Sequence, residues 1–316
     1  KQYARARIVV ALYRAGKLAE ADKAAADFLS AFKDAAVAAD EFALEKGKLY
    51  FRQNDYRKAA DLFDDVEDSD APALAALGMY WNGRCLEAQS KNADALGQFE
   101  NTTKKYPGTE GALEALMSIG RMHMRAEKYQ DAAMTFKSVV DAGTIPEAML
   151  KEALNGLIRC YEELNLADAA AEMTKRFLEA YPSDNTAFRK RVNLGVYYYQ
   201  MRYFDQSITH LEGLLAEASP DDQAEIRYYI GENYYYKNDF NQAALEFLKV
   251  PYLVVGKTEI DWTASSYYMA GQSYEKLNRP QLAIEMYQKI INTPGVDARF
   301  RAQAEKELAR VRALLE

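Results

Sequence analysis

Hydrophobic and polar positions along this chain follow helical spacing, in short stretches separated by regularly placed breakers. In Ile226–Phe247, Ile230, Gly231 and Tyr234 share one stripe at i, i+1, i+4. After the Lys237-Asn238-Asp239 break, Phe240, Ala243 and Phe247 form a second stripe at i, i+3, i+7. This pattern predicts two amphipathic helices joined by a tight turn. Asn and Asp suit the turn because their side chains compete for backbone hydrogen bonds. Gly231 and Ala243 are small where the two helix axes are expected to cross, and a larger side chain there would force the pair apart.

The arrangement recurs. Pro72, Pro107, Pro146, Pro182, Pro220, Pro251 and Pro294 follow one another at intervals of 31 to 43 residues. Gly47, Gly83, Gly120, Gly195, Gly231 and Gly271 are spaced by 36, 37, 75, 36 and 40, the long gap being two periods. Ala21, Ala59, Ala95, Ala132, Ala170, Ser207, Ala243 and Ala283 keep the same phase. Breakers and small residues in one register mark a repeat of about 37 residues, built of helical pieces. Eight units fit, near 2–35, 40–73, 76–109, 113–146, 151–184, 188–221, 224–257 and 264–297. The remaining 298–316 reads as one more helix. Its stripe of Phe300, Ala304, Leu308, Val311 and Leu315 would cover the apolar face that the last unit leaves open.

These units resemble the tetratricopeptide repeat (TPR) family. Leu194-Gly195, Tyr198, Phe204 and Leu211 match its pattern in one unit. So do Gly271, Tyr274, Leu277, Ala283, Tyr287 and Ile290 in the last, and Gly47, Tyr50, Tyr56, Ala59 and Phe63 near the start. Val9 and Ile158 depart from it by standing where the family has glycine. The resemblance implies an all-α, right-handed solenoid of about eight hairpins with a C-terminal capping helix. It implies a non-catalytic scaffold that holds a peptide or protein segment along a concave groove. A docking arm of a larger enzyme and a self-associating structural component are the alternatives. A finer likeness, in Tyr106–Thr109, Tyr181–Asp184, Leu248–Leu253, Trp262 and Ser273–Leu277, is to TPR proteins of the bacterial cell envelope. That likeness points to periplasm or envelope as the compartment.

Composition narrows the chemistry. Sixteen glycines and eight prolines in 316 residues are too few for the frequent turns of a β-sandwich or barrel. No apolar run approaches the roughly 18 residues of a membrane span, and a net charge of −7 weighs against nucleic acid as partner. Cys85, Cys160, His123 and His210 are the only cysteines and histidines, spread over 125 positions, so neither metal nor cofactor is expected. The two cysteines share a helical phase two units apart and are expected to be buried and unpaired, which leaves the cytoplasm open as a compartment. Val255-Gly256-Lys257-Thr258 ends like a phosphate-binding loop, but Pro251 stands where that motif needs glycine. Asp64-Asp65 and Asp221-Asp222 read as turn or helix-start residues. Opening on Lys1 with helical pattern at once, the chain reads as a piece of a longer one.

The partner-binding candidates come from the ninth position of each unit, which in the TPR family points into the groove. It is Lys48, Arg84, Arg121 and Arg159 in units two to five, then Val196, Glu232 and Gln272. Acids at i±3 or i±4 are available to Lys48, Arg84 and Arg159: Glu45, Glu87, and Glu162 or Glu163. Arg121 has none, so Arg121 and Arg125 are expected to be the least neutralised cations and to receive an acidic segment or chain-end carboxylate. Tyr199, Tyr228 and Tyr235, with Tyr236, fall on the phase that lines the groove in TPR proteins. They are read either as a grip on the partner's apolar part or as contacts between adjacent first helices.

Overall fold

The computed structural model describes residues 2–254 and 260–316. The Val255–Thr258 stretch lies outside the described residues. Among those described, the chain forms 17 α-helices and one 3₁₀ turn, with no strand, as the helical periodicity requires. It divides into two compact units, Lys1–Asn165 and Leu166–Glu316.

The first unit holds α1 (Gln2–Arg14), α2 (Leu18–Ala31), α3 (Ala36–Arg52), α4 (Tyr56–Glu67), α5 (Pro72–Ala88), α6 (Asn92–Lys105), α7 (Glu110–Arg125), α8 (Tyr129–Val140) and α9 (Glu147–Glu163). Each helix packs on the next, and α1, α3, α5, α7 and α9 also pack in succession. The second unit holds α10 (Ala167–Ala180), α11 (Ala187–Gln200), α12 (Phe204–Glu212), α13 (Pro220–Tyr236), α14 (Phe240–Lys249), a 3₁₀ turn at Val250–Tyr252, α15 (Trp262–Lys276), α16 (Pro280–Asn292) and α17 (Ala298–Ala313). Its packing is of the same kind, with α11, α13, α15 and α17 in contact one after another. Each unit is therefore an α-solenoid.

One contact repeats through both units. A Cβ on Gly47 would lie 2.5 Å from the ring of Phe63, and one on Gly83 would lie 2.5 Å from Phe99. The same holds for Gly120 with Phe136 at 2.6 Å, Gly231 with Phe247 at 2.7 Å, and Gly271 with Tyr287 at 2.7 Å. Gly195 meets Leu211 at 2.4 Å. In all six pairs the large side chain follows the glycine by sixteen residues and is buried. Only a residue without a side chain lets the second helix lay its ring against the backbone of the first. The first hairpin exchanges the sizes: Val9 takes the glycine position and Ala25 the ring position, both in one buried cluster. The sequence makes the same exchange with Ile158 and Thr174. The small residues Ala21, Ala59, Ala95, Ala132, Ala170, Ser207, Ala243 and Ala283 are all fully buried.

Eight of the turns between successive helices pass through one residue in the left-handed region. These are Gly16, Asn54, Ser90, Glu127, Asn165, Arg202, Asn238 and Asn278, with φ between 54° and 77°. At Asn238 the N–H bonds back to the Tyr235 carbonyl at 2.9 Å, and the Asp239 N–H bonds to Tyr234 at 2.9 Å. This double closure caps the orphan carbonyls of α13. Asn fills four of the eight sites because its short polar side chain tolerates this backbone conformation. The last helix, α17, lays Phe300, Ala304, Leu308 and Val311 against the buried cluster of α15 and α16. Leu315, expected on that stripe, lies beyond the helix and is exposed.

Substituting Gly231→Leu is expected to lower unfolding stability by about 1–3 kcal/mol, the usual cost of overpacking, despite the gain of about 1 kcal/mol in helix propensity. Urea or thermal unfolding measures it. Cys85 and Cys160 are both buried and unpaired. Burial pushes the Cys85 thiol up to about 12 and the Cys160 thiol to about 11. Iodoacetamide at mildly alkaline pH should leave both unmodified in the native protein and label both in denaturant, as intact-mass analysis would read.

Candidate functional site

The ninth-position residues follow the packing position by one residue on α3, α5, α7 and α9; Lys48, Arg84 and Arg121 are half-buried and Arg159 is exposed. Lys48 bonds to Glu45 at 3.1 Å and lies 5.6 Å over the ring of Trp81 on the next first helix. Glu45 also takes Arg14 of α1, at 2.9 and 3.0 Å. Burial pushes the Glu45 carboxyl up, but the two cations outweigh that and hold it below its ordinary value. Arg84 donates to the Tyr80 hydroxyl at 3.0 Å, approaches Glu87 at 3.2 Å, and stacks near Phe51 of α3.

The expectation for Arg121 and Arg125 needs correction. Arg121 donates to Glu152 of α9 at 2.7 Å and to Ser118 at 2.8 Å. Arg125 donates to Glu87 of α5 at 2.5 Å. Both are neutralised by acids 31 and 38 residues away in sequence, on the neighbouring first helices. Same-helix spacing cannot reveal such pairs. Arg159 has same-helix acids within reach, yet it is exposed and makes no ion pair among the described residues. Lys48, Arg84, Arg121 and Arg125 are thus laced to carboxylates, and Arg159 is not. One carboxylate stands out: Glu114 of α7 is half-buried beside Arg121, Glu110, Glu152 and Arg84. Burial lifts it above its ordinary value more than the two arginines lower it.

Where α4, α5 and α6 meet, the first unit holds a polar cluster that the sequence did not announce. Asn82, nearly buried, donates to Asp64 and to Glu67 at 2.7 Å each, and Gln98 donates to Glu67 at 2.7 Å. The cluster corrects the reading of Asp64-Asp65, which lie inside α4 near its end rather than at a turn or helix start. Asp221-Asp222 do sit in the first turn of α13, behind the Ser219 cap. The sequence signal for the cluster is a lone Asn82 one residue before the packing glycine Gly83.

In the second unit the tyrosines meet one another across first helices. Tyr199 of α11 lies 6.0 Å from Tyr229 and 5.9 Å from Tyr236 of α13, ring centre to ring centre. Tyr228 lies 5.5 Å from Phe247 and 5.2 Å from Trp262. Tyr235 stacks edge-on to Tyr236 and Phe240 at 5.7 and 5.3 Å. Of the two readings of these residues, contact between adjacent first helices is present. Tyr199, Tyr228 and Tyr235 nevertheless keep part of their surface, and Tyr236 is half-exposed. Tyr199, Gln200, Arg202, Phe204 and Tyr236 line a notch of about 230 Å³. Behind them the Ser207 hydroxyl donates to the Gly195 carbonyl at 2.7 Å, and Asn233 donates to Ser207 at 2.9 Å, a buried link between α12 and α13. No helix among the described residues is long and apolar enough to cross a membrane.

Hairpins closed by a glycine–ring contact, with a polar outer face on their first helices, define a helical-repeat interaction protein. The family model of the tetratricopeptide repeat matches residues 44–110, 82–148 and 117–185. A second model of that repeat matches residues 265–294. Together they take in more than half of the chain, which belongs to the tetratricopeptide repeat family and is in that broad sense a protein-interaction scaffold. Comparison by sequence with curated proteins gives no match. Among solved structures, the chain is similar to YrrB, described as a TPR protein with an unusual peptide-binding site. The two share 16% identity over 66% of this chain and 97% of that one, with a TM-score of 0.44. A TPR protein from Parabacteroides merdae shares 15% identity over 86% of this chain and 98% of its own, with a TM-score of 0.43. A chain of the Naa15/Naa10 complex bound to HypK-THB shares 10% identity, with a TM-score of 0.63, over 86% of this chain and 39% of its own. That last likeness is one of fold.

Glu114→Gln should raise the melting temperature at pH 7. The native carboxyl is harder to ionise than the unfolded one, so ionised Glu114 costs stability above both values. The advantage should fade as the pH falls through about 4.3, the ordinary glutamate value. Calorimetry at pH 7 and pH 4 makes the comparison.

Proposed function

We propose that the protein binds a peptide or protein segment along the face of its first helices. In the first unit an acidic side chain or chain-end carboxylate of that segment would meet Arg121 and Arg125, flanked by Lys48, Arg84 and Arg159. In the second unit Tyr199, Tyr228 and Tyr235 would offer apolar surface. The likeness of Leu248–Leu253 and Ser273–Leu277 to envelope TPR proteins supports a role in bacterial envelope assembly.

The observation that carries this reading is that equivalent positions on successive first helices bear polar side chains in contact with solvent, above a core already closed beneath them. Internal pairing does not block a ligand. The Arg121–Glu152 pair is exposed, and such pairs contribute only about 0.2–1 kcal/mol. A ligand carboxylate that makes both bonds of the guanidinium fork can therefore replace Glu152 at small cost.

The test uses the full chain and a fluorescein-labelled acidic peptide with a free C-terminus. Arg121→Ala combined with Arg125→Ala should weaken binding about tenfold, which corresponds to about 1.4 kcal/mol. The melting temperature should fall by only a few degrees. Unchanged affinity in the double variant would place binding elsewhere on the chain.

A further inference from the structure

In the second unit the ninth position reverses sign. Glu232 of α13 stands where the first unit has Lys48, Arg84 and Arg121. It is half-buried among rings. The Tyr228 hydroxyl donates to it at 3.4 Å, and the Tyr199 phenol stands near enough to act on its charge.

Glu232 has phenol donors but no cation. Among the described residues no lysine or arginine forms an ion pair with it, and the groups acting on its charge are the two tyrosines. The other shielded acids of this unit are treated differently. Glu225 is held by both arms of Arg189 at 2.5 and 2.6 Å. Glu246 takes Arg227 at 2.9 Å and Lys249 at 2.5 Å, and Glu275 takes Arg310 at 2.5 Å. A phenol donor offers a carboxylate a hydrogen bond but leaves its charge uncompensated, and an uncompensated shielded charge is costly. In agreement, burial lifts the Glu232 carboxyl above its ordinary value more than the phenols lower it.

We infer that Glu232 and the rings of Tyr199 and Tyr228 form a receptor for a lysine or arginine side chain of a bound protein segment. The carboxylate supplies the opposite charge, and aromatic faces attract cations through their quadrupole. An acidic side chain is repelled from the same spot. The inference rests on the reading that the first-helix face takes a protein segment, and it assigns the second unit a ligand group opposite in charge to the one proposed for the first.

The experiment uses the full chain at physiological ionic strength, so that the net charge of −7 contributes little. The probes are a short fluorescein-labelled Lys-Ala repeat peptide, its Glu-Ala counterpart and a norleucine-Ala version, read by fluorescence polarisation. The lysine peptide should bind more tightly than the norleucine one, and Glu232→Gln should weaken it about tenfold. Glu285→Gln, at an exposed acid on α16, should leave it unchanged. Glu232→Gln should melt no lower than the parent, because it removes a poorly solvated charge, so lost binding is not lost folding. Equal affinity of the parent and Glu232→Gln for the lysine peptide overturns the inference. So does a parent chain that holds the lysine and norleucine peptides equally. Binding of the acidic peptide alone overturns this inference and leaves the proposal for the first unit intact, whereas binding of neither charged peptide overturns both.

Discussion

The close approach of a helix backbone to a ring sixteen residues later sets the rest of this structure. When Gly47 accepts Phe63, or Gly231 accepts Phe247, the angle and separation of the hairpin are settled together, because the ring has no other place to go. Phe136 shows how far the contact reaches. One edge meets Gly120 in its own hairpin, and the opposite edge meets Gly156 of α9, where a Cβ would lie 2.7 Å away. A single side chain thus fixes both the hairpin and its successor. With the interior occupied this way, the first helices have their outer side left for polar and aromatic residues.

The repeat was legible in the sequence because its cause is steric. Glycine, alanine and a bulky residue must recur at fixed offsets, and a steric rule of that kind survives as a pattern along the chain. Even the exceptions follow it: Val9 with Ala25 exchanges which partner is small, and both stay in one buried cluster. The capping stripe of α17 was legible for the same reason, up to Ala313, where the helix stops short of Leu315.

Charge was much less legible. Lys48, Arg84, Arg121 and Arg125 could be placed on one face from their register alone, and the same-helix acids of Lys48 and Arg84 with them, but the counter-ions of Arg121 and Arg125 come from other helices. Glu152 reaches Arg121 and Glu87 reaches Arg125 across hairpin boundaries, and no spacing rule within a helix contains those offsets. The tyrosines were ambiguous for a related reason. A phenol on a first helix can face solvent or the next first helix, and Tyr199 does both by touching Tyr229 and Tyr236 along one edge. Glu232 was visible as a change of sign at one register position, yet its isolation from cations is a property of three dimensions.

The order of packing within each unit has a kinetic consequence. Helices touch only the next helix or the one after it, so each contact closes a loop of at most a few dozen residues. Chains with such low contact order fold fast, and a stack of nearest-neighbour interfaces can nucleate at any hairpin and grow from there. The converse is that the ends of a stack have a neighbour on one side only, and they open without waiting for the middle. The left-handed turn residues, exposed between paired helices, would be where a protease first finds the chain.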